Sequence, residues 1–118
     1  MADATARIQL YPAHQTGLLN PIKTGFRSPL KWEDDTRSNH FNACTLEMRA
    51  GEEHGAGETF VCSLWFLSRD SLETNLHVGS KFKLWSSGFI GEGVITEVLL
   101  GRAPAGKNYL DDDKKNLY

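Results

Sequence analysis

The sequence predicts an all-β domain whose strands form a closed or nearly closed antiparallel barrel, and three observations support this prediction. Apolar and polar side chains alternate with a period of two in most apolar segments, as in half-buried strands. Turn-forming residues separate these segments at intervals of roughly 8 to 15 residues. No segment keeps an apolar helical stripe for about three turns. A barrel would also protect the edges of such strands.

The predicted strands follow one another along the chain. They are residues 7–11, 25–32, 41–48, 59–67, 81–85 and 93–100. Pro29 predicts that the second strand lies at an edge or carries a bulge, because proline cannot donate a hydrogen bond to a sheet. The strand at 59–67 is apolar on both faces. Residues 69–76 carry leucines at only two positions of a helical face, which predicts a helix of one or two turns at most.

The inward faces of these strands define a predicted core. Its members are Cys44, Leu46, Met48, Phe60, Cys62, Leu64, Phe66, Phe82, Leu84, Val94 and Val98. The core includes both cysteines of the chain. Small domains that depend on disulfides contain them at higher density, so we expect two buried, reduced thiols.

Composition is that of a single domain without a strong charge bias. The 118 residues include 13 lysines and arginines against 15 aspartates and glutamates, a net charge of −2. This balance lacks the positive excess of a dedicated nucleic-acid-binding domain. No window approaches the roughly 20 apolar residues of a membrane span, and the first residues have no signal-peptide pattern, so we expect a cytoplasmic protein. We assign residues 1–100 to the barrel and residues 101–118 to a polar tail.

Sequence templates for catalysis and for cofactor binding do not match this chain. The Gly-Lys pair at 106–107 lacks the serine or threonine that completes a phosphate-binding loop. The acidic runs at 33–35 and 111–113 lack the ligand spacing of a calcium loop. The Gly-Glu-Gly triplet at 91–93 precedes a strand rather than a helix, which indicates a bulge or close packing. We therefore expect no enzyme activity, no bound nucleotide, no metal and no cofactor.

Four segments occur in an order that is informative beyond periodicity. They are residues 6–10 (ARIQL), 20–30 (NPIKTGFRSPL), 78–84 (VGSKFKL) and 91–99 (GEGVITEVL). With them the chain resembles the C-terminal domain of bacterial elongation factor Tu, in which a Pro-x-x-x-Gly-Tyr-Arg-Pro element lies between short strands and the last strand reads Gly-x-Gly-Val-Val/Ile-Thr. The resemblance covers about residues 6–100. It implies an all-β, six-stranded antiparallel Greek-key barrel, here as a stand-alone domain.

In the full factor, this domain helps to grip the T stem of aminoacyl-tRNA and contacts the exchange factor and the GTPase domain. The chain departs from the family at two places. An Arg-His-Thr-Pro stretch is replaced by residues 18–21, which begin with Leu18 and Leu19, and a Glu-Gly-Gly-Arg stretch is replaced by residues 86–89, which end in Phe89. Apolar groups replace cations there, and phosphate neutralisation supplies much of the affinity for RNA. Arg27 keeps its family position.

The first functional hypothesis is a non-catalytic binding module. Exposed aromatic and leucine side chains suit a protein partner, and we expect the partner to bind the end of the barrel that carries Leu18, Leu19, Trp85 and Phe89. The partner would be a translation GTPase, or a toxin if the chain is a small immunity or antagonist protein.

The second hypothesis is retained binding of RNA, with tRNA as the family ligand. It would use the basic residues of the N-terminal third, namely Lys23, Arg27, Lys31 and Arg37. Phosphate contacts would then make the affinity fall steeply with salt. A third hypothesis, an enzyme with an unrecognised site, lacks a visible pair of nucleophile and base.

Overall fold

The computed structural model describes residues 2–16, 20–36, 40–68 and 72–99. Its strands are β1 (Ala4–Leu10), β2 (Ile22–Lys23), β3 (Phe26–Trp32), β4 (Asn42–Glu47), β5 (Glu53–His54), β6 (Thr59–Phe66), β7 (Lys81–Trp85) and β8 (Phe89–Val98). Its helices are α1 (Ala13–Thr16) and α2 (Leu72–Asn75), each four residues long. The tail at 101–118 lies outside the described residues.

Six of these strands close into a barrel in the order β1-β6-β4-β3-β7-β8, and β8 pairs with β1 to complete the circle. Every pair of neighbours is antiparallel. The strands β3, β4 and β6 are successive neighbours, and β1 lies beside β6, which is a Greek-key arrangement. The strands β2 and β5 form a separate two-stranded ribbon. The predicted six-stranded antiparallel barrel is therefore confirmed.

The predicted core is confirmed at nine of its positions and wrong at one. Nine members, from Cys44 to Leu84, are buried, and Val98 is partly buried against them. The prediction for Val94 is wrong, because its side chain is not buried in the core and the neighbouring Ile95 is buried instead. The register between β1 and β8 shifts by one residue near Thr96, so that Ile95 and Val98 both face inward although their spacing is odd. A bulge of this kind reverses the alternation on which the prediction depended.

Trp32 lies at the centre of the aromatic part of the core. Its ring centroid is 5.9 Å from that of Phe66 and 5.8 Å from that of Phe82, and its indole Nε1 donates a hydrogen bond to Asn42 Oδ1 at 2.8 Å. Trp32 is 1% exposed. The hydrogen bond satisfies the one polar atom that the indole brings into the core.

Pro29 lies within the barrel rather than on an edge strand, because β3 has β4 on one side and β7 on the other. Pairing between β3 and β7 starts at Leu30, so the ladder on the β7 side ends where Pro29 begins. Beyond that point the Ser28 hydroxyl replaces the backbone as the link to β7, and it accepts a hydrogen bond from the Trp85 backbone N–H at 3.1 Å. The expectation of an edge strand is therefore corrected, and the missing donor of proline is harmless because the neighbouring hydroxyl supplies the link.

The Gly-Glu-Gly triplet allows close packing where β8 meets β1 and β7. A Cβ atom at Gly93 would overlap the ring of Phe82, and one at Gly91 would lie 2.8 Å from the Gln9 backbone oxygen. Only hydrogen fits in these places, which confirms the interpretation of these glycines as packing residues. The fully buried Phe82 occupies the space that a side chain at Gly93 would fill.

Asp3, just before β1, links the end of β8 to the end of β6. Its backbone N–H donates to Leu64 O and its backbone oxygen accepts from Leu99 N–H, both at 2.9 Å. Its carboxylate accepts from the Phe66 N–H at 2.8 Å. Asp3 is fully buried, so these bonds satisfy a polar group that would be costly to bury alone. The C-terminal ends of β6 and β8 therefore lie on either side of Asp3, at the start of β1.

Cys44 and Cys62 are free and buried, as the sequence predicts. Burial raises the pKa of both thiols to about 12, so they are protonated at neutral pH. A protonated, buried thiol is a poor nucleophile.

His54 fixes the β2-β5 ribbon to the barrel. Its ring stacks on Phe60 with the centroids 4.1 Å apart, Nε2 lies 2.5 Å from Glu52 Oε2, and Nδ1 lies 3.0 Å from Glu58 Oε1. Burial alone lowers the pKa of His54, but the hydrogen bonds to Glu52 and Glu58 outweigh it and raise the pKa above its ordinary value. The hydrogen bond to His54 lowers the pKa of each glutamate.

We predict that Gly93→Ala lowers the free energy of unfolding by about 1 to 3 kcal/mol, because the new methyl group overpacks against Phe82. Urea titration measures this. Gly55→Ala is the control, since a Cβ there meets its nearest neighbour at an ordinary 3.6 Å. In a Phe82→Leu background the cost of Gly93→Ala should fall, and equal costs in both backgrounds would contradict the packing argument.

The His54 cluster predicts a pH-dependent contribution to stability. The raised pKa of His54 means that the folded state binds its proton more tightly than the unfolded state. Stability from this residue is therefore complete below the unfolded pKa and is lost as the pH rises through the folded pKa. Chemical denaturation should show a larger difference between wild type and His54→Gln at about pH 5.5 than at about pH 9. A difference that is equal at both pH values would show that protonation of His54 plays no part.

Candidate functional site

Three aromatic side chains form a continuous cluster on the outer wall of the barrel. The Trp85 ring lies 5.0 Å from Phe89 and 6.0 Å from Phe41, both in edge-to-face geometry. Trp85 and Phe89 are each 38% exposed. We call Phe41, Trp85 and Phe89 the aromatic cluster. Rings that pack on one another at the surface already hold their conformation, so a partner that covers them loses little conformational entropy.

The turn between β7 and β8 positions the two exposed rings. Trp85 is the last residue of β7, Phe89 is the first of β8, and the two are paired in the register. Ser87 and Gly88 have positive φ angles of 56° and 126°, and the Ser86 N–H donates to Gly88 O at 2.7 Å. The register shift between Leu84 and Trp85 directs the tryptophan outward beside its partner.

Two lysines flank the aromatic cluster. The Lys83 ammonium lies 5.5 Å from the centre of the Phe89 ring, and the Lys31 ammonium lies 5.9 Å from that of Phe41. Lys31 and Lys83 are directly opposite each other in the register of β3 and β7. Like charges at facing positions oppose strand pairing. The Lys31 ammonium also donates to the Asp35 backbone oxygen at 3.5 Å, and Lys83 has Glu92 opposite it on β8.

Arg27 lies on the outer face of β3, but not in the aromatic cluster. It lines an open groove of about 360 Å³ together with Pro29, Ala43, Trp65 and Leu67. Leu67 is 81% exposed. We call this feature the β3-β4-β6 groove. The sequence indicated it only through the two apolar faces of the segment at 59–67, and we did not predict a site there.

Leu18 and Leu19, the other two residues of the predicted protein-binding end, lie outside the described residues. The residues on either side of them, Thr16 and Asn20, line a cavity of about 600 Å³ with Ser86 and Ser87. Thr16 and Asn20, the described residues on either side of 17–19, therefore lie near the turn that joins Trp85 to Phe89. Phe41 was not predicted as a site residue, because nothing local in its sequence shows that it will meet Trp85.

Two of the basic residues of the RNA hypothesis, Arg27 and Lys31, lie on the same outward face of β3. The Lys23 ammonium lies on the β2-β5 ribbon, 3.5 Å from the Glu53 carboxylate. Arg27 and Lys31 are separated along β3 by Pro29, and Arg37 lies outside the described residues. Of the three basic residues that the structure describes, Lys31 alone has its charged group over a ring of the aromatic cluster.

Among the described residues, no group of three or more histidine, cysteine, aspartate or glutamate side chains is arranged to hold a metal ion. What the aromatic cluster offers chemically is apolar ring surface with positive charge at its margin. Such a surface is complementary to an apolar group with an anion beside it.

Within ranges 2–16, 20–36, 40–68 and 72–99, no helix has the length and apolar character that crossing a membrane requires. Comparison with protein-family models and with curated proteins finds no match to this chain.

Proposed function

We propose that this chain is a non-catalytic binding module that holds a protein partner through the aromatic cluster. The observation that carries the proposal is the contact of three aromatic rings, two of them partly exposed, with a lysine over each end of the series. Aromatic side chains of this kind supply most of the energy of typical protein interfaces.

The charges at the margin define the chemistry of the partner. Lys31 and Lys83 are opposite each other on the adjacent strands β3 and β7. The partner therefore gains most binding energy where it places carboxylates near them. The rings between the lysines accept an apolar side chain. The proposed partner surface is therefore an apolar anchor with acidic residues at its sides.

A second candidate function, the binding of single-stranded RNA, is favoured by the same juxtaposition of rings and ammonium groups. Bases stack on exposed aromatic rings, and lysines at the margin would contact phosphates. Salt distinguishes the two functions, because phosphate neutralisation releases counterions and produces a steep loss of affinity with rising salt.

We predict that Trp85→Ala and Phe89→Asp abolish capture of a specific partner from an extract of the native cells. The captured protein is identified by mass spectrometry, purified, and titrated against the variants. Loss of one buried aromatic anchor should weaken binding by about thirtyfold or more, which corresponds to about 2 kcal/mol. The melting temperature should change little, because both side chains are partly exposed on the outer wall.

Val61→Asp is the matched control, since Val61 is 58% exposed on β6 and lies outside the aromatic cluster. It should leave binding unchanged. Equal binding by Trp85→Ala and wild type would refute the proposal. Capture that disappears after nuclease treatment, together with salt-sensitive binding of tRNA or single-stranded RNA, would favour the second candidate function.

A further inference from the structure

The β3-β4-β6 groove is a second apolar surface, distinct from the aromatic cluster. Its floor and walls include Pro29, Ala43, Trp65 and the highly exposed Leu67. The Arg27 guanidinium stands at its margin, and among the described residues it has no hydrogen-bond or ion-pair partner. Trp65 donates its indole N–H to Glu47 at 2.7 Å, which fixes the ring that the groove presents.

We propose that residues 109–113 of the same chain occupy this groove, with Tyr109 and Leu110 on its apolar wall and the aspartates next to Arg27. This goes beyond the proposed function, since it concerns a different surface and a different occupant. The docked segment would cover Leu67.

The position at which the chain leaves the barrel supports this occupant. Leu99 donates its N–H to Asp3 O, and the Asp3 carboxylate accepts from Phe66, the residue before Leu67. The last described residue is therefore about two strand spacings, or about 10 Å, from the end of β6 that forms the groove. Residues 100–108 span up to roughly 30 Å when extended, so they reach the groove without strain.

Charge complementarity selects this segment within the tail. Tyr109 and Leu110 are followed directly by three aspartates at 111–113, which match an apolar groove with an arginine at its margin. The later apolar pair, Leu117 and Tyr118, follows two lysines at 114–115 that Arg27 would repel.

The tether makes weak binding sufficient. A short linker holds its end at an effective concentration of about 1 mM, so a segment with an intrinsic Kd of about 0.1 mM would be docked about 90% of the time. Five residues with two apolar side chains need no tighter affinity than this.

The test is paramagnetic broadening in the full chain. A nitroxide is attached to Asn108→Cys, which is selective because the native thiols are buried and their pKa is raised to about 12. We expect the amide signals of Ala43, Thr45 and Leu67 to lose most of their intensity, and Val61 and Val94 to keep theirs. The amide spectrum also reports whether each variant is folded.

Two pairs of variants test the chemistry. Leu110→Asp should remove the broadening, whereas Leu117→Asp, the same change outside the segment, should leave it. Arg27→Glu should remove it and Arg27→Lys should retain much of it. None of these variants alters the aromatic cluster, so failure of the proposal leaves the proposed function intact, and the reverse also holds.

Broadening that is uniformly weak, or that centres on Trp85, would overturn the proposal. So would broadening of isotope-labelled, unmodified chain in a mixture with unlabelled, nitroxide-bearing chain, because the occupant would then be the tail of a second copy.

Discussion

Closure between β1 and β8 is the constraint on which the rest of the structure depends. A six-stranded barrel has a small interior, so its strands must follow one another at a fixed stagger and few large side chains fit inside. The chain meets this demand where Gly93 leaves room for Phe82 and where the register shift near Thr96 turns both Ile95 and Val98 inward. The ring of Phe82 then reaches Trp32, and the core becomes continuous across the barrel.

Closure also determines what the outer wall presents. Once β7 and β8 are paired, the turn between them has to place Trp85 and Phe89 side by side. The position of β3 beside β7 then sets Lys31 opposite Lys83, and the position of β4 beside β3 places Phe41 within reach of Trp85. The aromatic cluster thus contains residues from two separate parts of the chain, the β7-β8 hairpin and the residue before β4, which meet because β3 lies between β4 and β7 in the sheet.

The outer wall differs from the polar surface that usually covers a small barrel. Two apolar features, the aromatic cluster and the β3-β4-β6 groove, lie on either side of Pro29, and each has cations at its margin. Acidic side chains also lie close to both features, since Glu92 is opposite Lys83 in the register of β7 and β8 and Glu47 accepts a hydrogen bond from Trp65, so the net charge of −2 does not describe the local pattern. Local charge rather than net charge therefore describes the chemistry of these two surfaces.

The sequence by itself determined the class of fold and most of the core, because alternation within a strand depends only on neighbouring residues and on the pleat. The inward faces of β4, β6 and β7 could be predicted for this reason, and so could the packing role of the glycines at 91 and 93. Tertiary structure alone decided which side chains of β8 face the core. A bulge against β1 reverses the alternation there, so that Ile95 is buried in place of Val94. It also decided the aromatic cluster and the groove. The contact of Phe41 with Trp85 and the placement of Leu67 and Arg27 in one groove depend on the register between strands. That register is set by closure of the whole sheet and not by any local pattern.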